Sequence, residues 1–507
     1  MTSRRSTTDI LLVSLLVVAA VGVRWVLYRD LPALLTNDSW DYLKAAQDIR
    51  RDLDFFSAGL RDVRLPGYPT LLALASPLVG WRSDSIVLLQ SVLGLTTAAI
   101  GWGIGKVLGS RLISWVMVVF LALNPVYLLN EHAIMAEAFG LTLYLLLVLV
   151  GLACLVRPGG SVGWVAFGVV LGVCTLTRAN VVALGAAIAG GACLLQRPAN
   201  GTCGDVGRLR RSLEYLRPVL LTVTITSIIV TPWLWRNWAA YGRPSFFSST
   251  NRVLVMYKNM HRPFDSSMPT LARVNEMLEY DHIDFEWLWR FSNRFDPREA
   301  EDLARRILDE QIAKDPWLHV SQIGESAVAF GGFGPATVDD RSALLFWFDV
   351  EVGHVGNMEA LSRSEAASRL PHWTFVPRGR DTPTTALFAR AGHAYLRPGR
   401  AVVSLGFLLA LGLYFVWIVR FRGRARGARS AVVLVLAIGY LGTVAMHVAM
   451  LMDCDRFASM FDFLSVLITV AIFEEVLVAR HERPARWPSV VAVSPDTEDR
   501  ESAGAAP

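Results

Sequence analysis

Charge is scarce in this chain. Asp, Glu, Lys and Arg make up only 18% of its 507 residues, whereas 53% are hydrophobic and the mean hydropathy is +0.40. That balance excludes an ordinary soluble domain of this length and suits a polytopic membrane protein. Cysteine is scarce as well. Cys154, Cys174 and Cys193 fall in apolar stretches, Cys203 in a basic loop and Cys454 near a late apolar stretch. With no CxxC pair and no ladder of spacings, neither a disulfide framework nor a cysteine-bound metal is indicated. The glycine run Phe330-Gly331-Gly332-Phe333-Gly334-Pro335 has no Gly-Lys-Ser/Thr ending, so it reads as a turn and not as a phosphate-binding loop. His261, Asp281, His282 and Asp284 match no standard ligand spacing and read as surface polar residues. Acidic charge is slightly outnumbered, leaving a net +5 carried almost wholly by arginine. Basic loops beside apolar spans answer to anionic lipid and to topology, so nucleic-acid binding is not indicated.

What the chain has in quantity is long apolar runs. Segments 9–28, 84–108, 112–129, 138–156, 161–177, 180–196, 217–236, 399–420, 430–451 and 457–478 approach the roughly 20 residues a bilayer-crossing helix needs. The first has no small-x-small cleavage site before Asp38 and is expected to stay attached as a helix. Segment 66–80 is apolar but short and holds Pro66 and Pro69, which places it as an interfacial or re-entrant helix. The fold class expected is an all-α polytopic membrane protein with about ten spans.

Arginine sets the expected orientation. Arg4 and Arg5 precede the first span; Arg197, Arg208, Arg210, Arg211 and Arg217 follow the sixth. Arg420, Arg422, Arg424, Arg426 and Arg429 follow the eighth, and Arg480, Arg483 and Arg486 follow the tenth. Ten spans put all of these on one side, cytoplasmic by the positive-inside rule, together with both termini. The division expected is a transmembrane module over 1–236 with its first outer loop at 29–83, an outer segment over 237–398, C-terminal spans over 399–480 and a disordered tail over 481–507. In the outer segment, Asp296-Pro297 followed by Arg298 to Lys314 reads as a capped amphipathic helix, and Pro316 to Phe330 as a second helix.

The outer side gathers unusual charge. Asp38, Asp41 and Tyr42 follow the first span, with Asp38 at the N-cap if a helix starts at Ser39. Residues three and four further on then share its face. Glu131 lies in the loop before the fourth span, and Glu137 opens that span. Arg64, Arg178, Arg236 and Arg456 lie on the same side, where topology does not ask for arginine. A lone arginine there is equally well a side chain snorkelling to lipid phosphate, and a lone acid is equally well a helix-start residue. Four guanidinium groups beside acids point instead to a shared phosphate ligand, held by forked hydrogen bonds.

At this point the order of landmarks resembles a known family, the polytopic GT-C glycosyltransferases, and in particular the group of protein O-mannosyltransferases and bacterial aminoarabinose transferases. The landmarks run from Asp38 and Tyr42 through Arg64-Leu65-Pro66-Gly67-Tyr68-Pro69, Asn124-Pro125 with Glu137, Thr177-Arg178, and Pro232-Trp233-Leu234-Trp235-Arg236-Asn237 to Lys314-Asp315-Pro316-Trp317. They cover about residues 1–330. Two positions depart from the pattern: Ser39 follows Asp38 where members often carry a second acid, and Asp455-Arg456-Phe457 stands where Arg-Tyr and a proline are expected.

The resemblance implies a cell-envelope enzyme of the cytoplasmic membrane. It would move a sugar from a polyprenyl-phosphate donor to an acceptor hydroxyl on the outer face, with inversion. It implies Asp38 as general base. Arg64 and Arg236, with Arg178 or Arg456, would hold the departing phosphate. Glu137 would orient a substrate, while Tyr42 and Tyr68 would pack on the sugar or prenyl chain; Asp41 and Asn237 complete the binding set. No cofactor is required on this account, and a divalent ion at the acids is the lesser alternative. The sugar and the acceptor, whether protein, lipid or polysaccharide, stay open. A transporter or flippase for lipid-linked sugar is the competing reading, although charges at span ends favour surface chemistry over passage.

Overall fold

The structure is a computed structural model. It describes residues 7–31, 33–34, 37–52, 64–156, 160–195, 205–241, 268–282, 294–331, 383–420, 428–449 and 460–481, with single positions 244, 246, 256, 287, 290 and 291 between them. Among these residues the chain is helical. The one extended pairing is an isolated parallel bridge between Leu34 and Ala133.

The membrane-type helices are α1 (Thr7–Asp30), α4 (Ser83–Val107), α5 (Arg111–Leu123), α7 (Glu137–Val156), α8 (Ser161–Thr177), α9 (Val182–Leu195) and α10 (Asp205–Tyr241). Between the first two lie α2 (Asn37–Asp52) and α3 (Gly67–Val79), and α6 (Pro125–Asn130) is a short helix after α5. Segment 237–398 contributes α11 (Pro269–Leu278), α12 (Pro297–Lys314) and α13 (Pro316–Phe330). α14 (Pro383–Ala394) runs through a π-turn at Tyr395–Gly399 into α15 (Arg400–Arg420), and α16 (Ala428–Ala449) and α17 (Asp462–His481) complete the chain.

Every expected span falls on a helix, and the protein is a polytopic helical membrane protein. Five stretches are long and apolar enough to cross a bilayer: Leu11–Asp30, Ser83–Val107, Glu137–Val156, Glu214–Ala239 and Arg400–Trp417. Arg111–Leu123, Ser161–Thr177, Ala179–Leu195 and Ser430–Met446 are apolar but shorter. α17 carries Glu474 and Glu475 near one end, where they accept from Ser110 and Ser430. Boundaries differ from expectation in places: α17 starts at Asp462, after a turn at 460–461, where the tenth span was expected from 457. The third span breaks at Asn124-Pro125, because the Asn124 side chain accepts from the Val126 and Tyr127 N–H groups and so caps a new helix with proline at its first position. α10 runs well beyond 217–236 at both ends. α12 is capped by Asp296 with Pro297 at its first turn, as expected, and α13 occupies 316–330.

Apolar burial organises the bundle into two main clusters. The larger is built from α4, α5, α7, α8, α9, α15, α16 and α17, with Phe407, Tyr440, Phe461 and Phe463 among its buried aromatics. The second collects α2, α3 and the chain around α6, and is described below. A third, small cluster joins α11 and α12 through Trp287, Phe291 and Phe295. A buried pair, Arg400 with Asp462 at 3.3 Å, ties the starts of α15 and α17. Tyr395 donates to the same carboxylate at 2.8 Å, and Arg400 donates to the Phe330 carbonyl at the end of α13. The expected disordered tail lies outside the described residues.

Candidate functional site

The cluster at α2 and α3 begins with the helix that follows the first span. α2 starts at Asn37, so Asp38 sits in its first turn and not at the N-cap, three and four positions before Asp41 and Tyr42. The Asp38 backbone is described and its side chain is not. Asp41 is exposed and pairs with Arg64 at 3.4 Å, and the Arg64 guanidinium lies 5.6 Å from the centre of the Tyr42 ring. Such an arrangement lets one cation use a carboxylate and an aromatic face at once.

Tyr42 stands edge-on to Tyr68, ring centres 5.1 Å apart. Tyr68 is 1% exposed and donates its hydroxyl to Gln90 Oε1 at 2.6 Å. Burial, with Tyr42 and Glu137 nearby, holds that hydroxyl well above its usual pKa, so it stays protonated as a donor. Gln90, on α4, in turn donates its amide to the carbonyls of Glu131 and Ala133, at 2.8 Å each. Its oxygen and both contacts to the loop are thereby fixed.

The Arg64–Pro69 segment is docked by its glycine. A Cβ on Gly67 would fall 2.2 Å from Thr177 Oγ1 and 2.9 Å from the Leu176 carbonyl. Only glycine lets the start of α3 cross the end of α8. The residue after that end is Arg178, whose Nη2 donates to Glu137 Oε1 at 2.5 Å. Glu137 is 1% exposed at the first turn of α7. The landmark glycine therefore abuts the landmark threonine, beside the landmark ion pair.

α10 brings the fourth landmark. Trp233 is 2% exposed and belongs to the same apolar cluster as Tyr42, Leu65, Tyr68 and Ala136. Its Nε1 and the Asn237 amide both donate to the Phe246 carbonyl, at 3.0 and 3.3 Å. Arg236 lies 5.0 Å from the Trp233 ring centre and donates to Asn237 Oδ1 at 2.8 Å. The sequence groups carrying Tyr42, Arg64, Tyr68, Glu137, Arg178, Arg236 and Asn237, far apart along the chain, thus meet around one cluster. Arg456 lies outside the described residues, as do His261 and Asp284. Met460, four positions after Arg456, lies above Gly140 together with the Arg178 side chain. Asp281 and His282 are exposed neighbours 3.6 Å apart. Among the described residues no group of three or more His, Cys, Asp or Glu is placed to hold a metal ion.

Two residues that sequence reasoning passed over belong to this neighbourhood. Glu131 is not an outer-face acid open to a ligand: it is 3% exposed, and its two oxygens take Arg24 Nη2 at 2.6 Å and Nε at 2.9 Å. Burial pushes the Glu131 carboxyl up, to about 7, against the opposing pull of Arg24. Arg24, near the C-terminal end of the first span, was legible only as one charge in an apolar run. Gln90 was legible only as one polar residue in another.

Neither protein-family models nor curated proteins gave a match to the chain. Among solved structures, two crystal structures of ArnT from Cupriavidus metallidurans are similar to it. The one bound to undecaprenyl phosphate shares 14% identity over 93% of this chain and 81% of that one; the one in the apo state shares 15% over 94% and 82%. The TM-score is 0.35 for each.

Proposed function

We propose that this protein is an inverting glycosyltransferase that takes a sugar from a polyprenyl-phosphate donor and places it on an acceptor hydroxyl at the outer face of the cytoplasmic membrane. The observation that carries the reading is the convergence just described: four ordered groups, from the first outer loop to the end of α10, gather around one apolar cluster edged with arginine. A greasy surface edged with guanidinium groups suits a ligand that is part prenyl chain and part phosphate.

In the proposed reaction Asp38 takes the proton of the acceptor hydroxyl as its oxygen attacks the anomeric carbon. The bond from that carbon to the phosphate oxygen breaks on the opposite face, and polyprenyl phosphate leaves with the electron pair. A carboxylate suits this base role because the hydroxyl becomes acidic only as the new bond forms. Arg64 and Arg236, with Arg178, offset the charge that develops on the leaving phosphate. Tyr42, backed by Tyr68, gives the sugar or the first prenyl units a flat surface. Both termini lie on the cytoplasmic side in this scheme, and α11 to α13 lie outside.

The test uses purified protein in lipid nanodiscs with radiolabelled polyprenyl-phosphate sugars and candidate acceptors. Transfer by the wild type, lost in Asp38→Asn while donor binding persists, is the expected result. Normal turnover by Asp38→Asn would sink the base assignment. Donor crossing of proteoliposome membranes with no transfer to any acceptor would favour a flippase.

A further inference from the structure

α1 is poorly held by apolar packing. Leu11, Leu15, Val17, Val18, Val21 and Trp25 are exposed on it. Its firmest attachment is a charge. Besides its two bonds to Glu131, Arg24 donates to the carbonyls of Ala20 at 3.2 Å and Ala122 at 3.0 Å, and is 4% exposed. One guanidinium therefore joins α1, the end of α5 and the loop before α7. α4 is shaped around the pair: a Cβ on Gly94 would fall 1.9 Å from Glu131 Oε1 and 3.0 Å from Arg24 Nη2. One turn earlier on α4, Gln90 grips the backbone of Glu131 and Ala133 and receives the Tyr68 hydroxyl. One residue on, the Leu34 N–H donates to the His132 carbonyl at 2.8 Å and the Ile134 N–H to the Leu34 carbonyl at 3.0 Å, which stitches the chain before α2 to the same loop.

We infer that Arg24 is a positioning residue for the candidate site: from inside the first span it fixes Glu131, and through that loop, Gln90 and the Leu34 bridge it sets the Tyr42–Tyr68 pair against which Arg64 lies. A charge buried at the edge of a membrane helix is costly unless it is fully paired, and this one is fully committed to holding a loop. Its effect on activity rests on the proposed glycosyl transfer; its effect on the loop does not.

The experiment therefore has two arms, both on full-length protein in lipid nanodiscs. In the first, hydrogen exchange is followed at the Leu34 and Ile134 amides in wild type, Arg24→Lys and Arg24→Met. Arg24→Met is expected to speed exchange at both by at least ~10-fold while α4 and α7 keep their protection, with Arg24→Lys intermediate. Unchanged exchange at the bridge would overturn the inference. If Arg24→Met loosens α4 and α7 as well, Gly94→Ala replaces it. That variant keeps Arg24 but displaces the Glu131 carboxylate, and must loosen the same two amides for the inference to survive. In the second arm, donor titrations separate KM from kcat. A rise of about 10-fold in donor KM, with kcat within about threefold and partial recovery in Arg24→Lys, is expected. A loosened bridge with unchanged KM would reduce Arg24 to a purely structural residue and overturn the positioning role. Should the wild type transfer nothing, the glycosyltransferase reading fails, and the exchange arm alone decides whether Arg24 governs the loop.

Discussion

Two glutamates stand six positions apart between the end of α5 and the start of α7, and each is bound by an arginine from a different part of the chain. Glu131 meets Arg24 through both oxygens, with side chains 3% and 5% exposed. Glu137 meets Arg178 through one oxygen, and the Arg178 side chain is 13% exposed, at the turn between α8 and the short 3₁₀ turn that leads into α9. The chemistry is shared and the surroundings differ. The first pair is sealed under Gly94 and tied to the Ala20 and Ala122 carbonyls; the second sits at the rim, beside the crossing of Gly67 and Thr177, with Met460 and the Arg178 side chain over Gly140. A sealed pair can only hold structure. In a rim pair the arginine can also exchange its carboxylate for a ligand phosphate, so under the proposed glycosyl transfer we propose positioning for the first pair and binding for the second.

Removing Arg24 should have the largest effect. Arg24→Met leaves Glu131 buried without its partner, which costs on the order of 3–5 kcal/mol in folding stability. A thermal or denaturant melt in nanodiscs reads this directly. The cost should also depend on pH. The folded Glu131 carboxyl lies above its usual 4.5, at about 7, so the folded chain binds that proton more tightly than the unfolded one. Stability therefore falls as pH rises between those values. Without Arg24 the folded value climbs further, and the penalty grows by up to ~1.4 kcal/mol for each pH unit over the added range. The destabilisation of Arg24→Met relative to the wild type should be larger at pH 8 than at pH 6; an equal destabilisation at the two would mean that Glu131 is not the group left behind.

Arg178→Met should separate the two pairs. If the rim pair serves binding, transfer falls by about 10²–10³-fold, the loss typical when one stabilising donor to a developing anion is removed. The melt should shift too, since Arg178→Met takes the arginine from a glutamate that is 1% exposed; the loss of transfer per folded molecule, and not the melt, sets this pair apart. A stability loss as great as that of Arg24→Met, with activity per folded molecule unchanged, would erase the distinction between the pairs.

The bundle was largely legible in the sequence, and the buried pairs were not. Hydropathy alone located the membrane-type helices, because lipid demands apolar stretches of fixed length whatever their partners. The capped start of α12 was also legible, since Asp296-Pro297 acts on neighbouring amides. Arg24 was missed because its partner lies 107 residues away, and no local pattern separates a buried arginine from one that snorkels to a headgroup. Gln90 was missed for the same reason, its carbonyl partners being 41 and 43 residues on. α10 outran its expected limits because Arg208, Arg210 and Arg211 lower hydropathy without opposing helix. The landmark sequence Arg64–Pro69 was conspicuous as a string. That its glycine is required by the Thr177 hydroxyl and the Leu176 carbonyl becomes evident only once α3 is laid across α8.

Gly94→Ala tests how tightly the sealed pair is sealed. A methyl group 1.9 Å from Glu131 Oε1 must displace the carboxylate or part α4 from the loop. Overpacking of this kind costs roughly 1–3 kcal/mol. Gly190 has nothing within 4 Å of its added Cβ, so Gly190→Ala is the control and should melt like the wild type or slightly above it. Equal melts for the two alanine variants would show that the space around Glu131 is looser than the geometry requires.

The smallest effect should come from Tyr68→Phe, and it bears on how the two regions communicate. The ring stays under Tyr42, and only the 2.6 Å bond to Gln90 is lost. Gln90 keeps its two bonds to the loop but has a buried oxygen without its donor, at a cost of about 1–3 kcal/mol; relaxation of the ring edge should leave the result near the lower figure. If the hydroxyl links the sealed pair to the tyrosine stack, Arg24→Met and Tyr68→Phe share one route, and the double variant should raise donor KM by less than the product of the single effects. Multiplicative effects would place Tyr68 and Arg24 on separate supports, and the route from the first span to Tyr42 would then run through the Leu34 bridge alone.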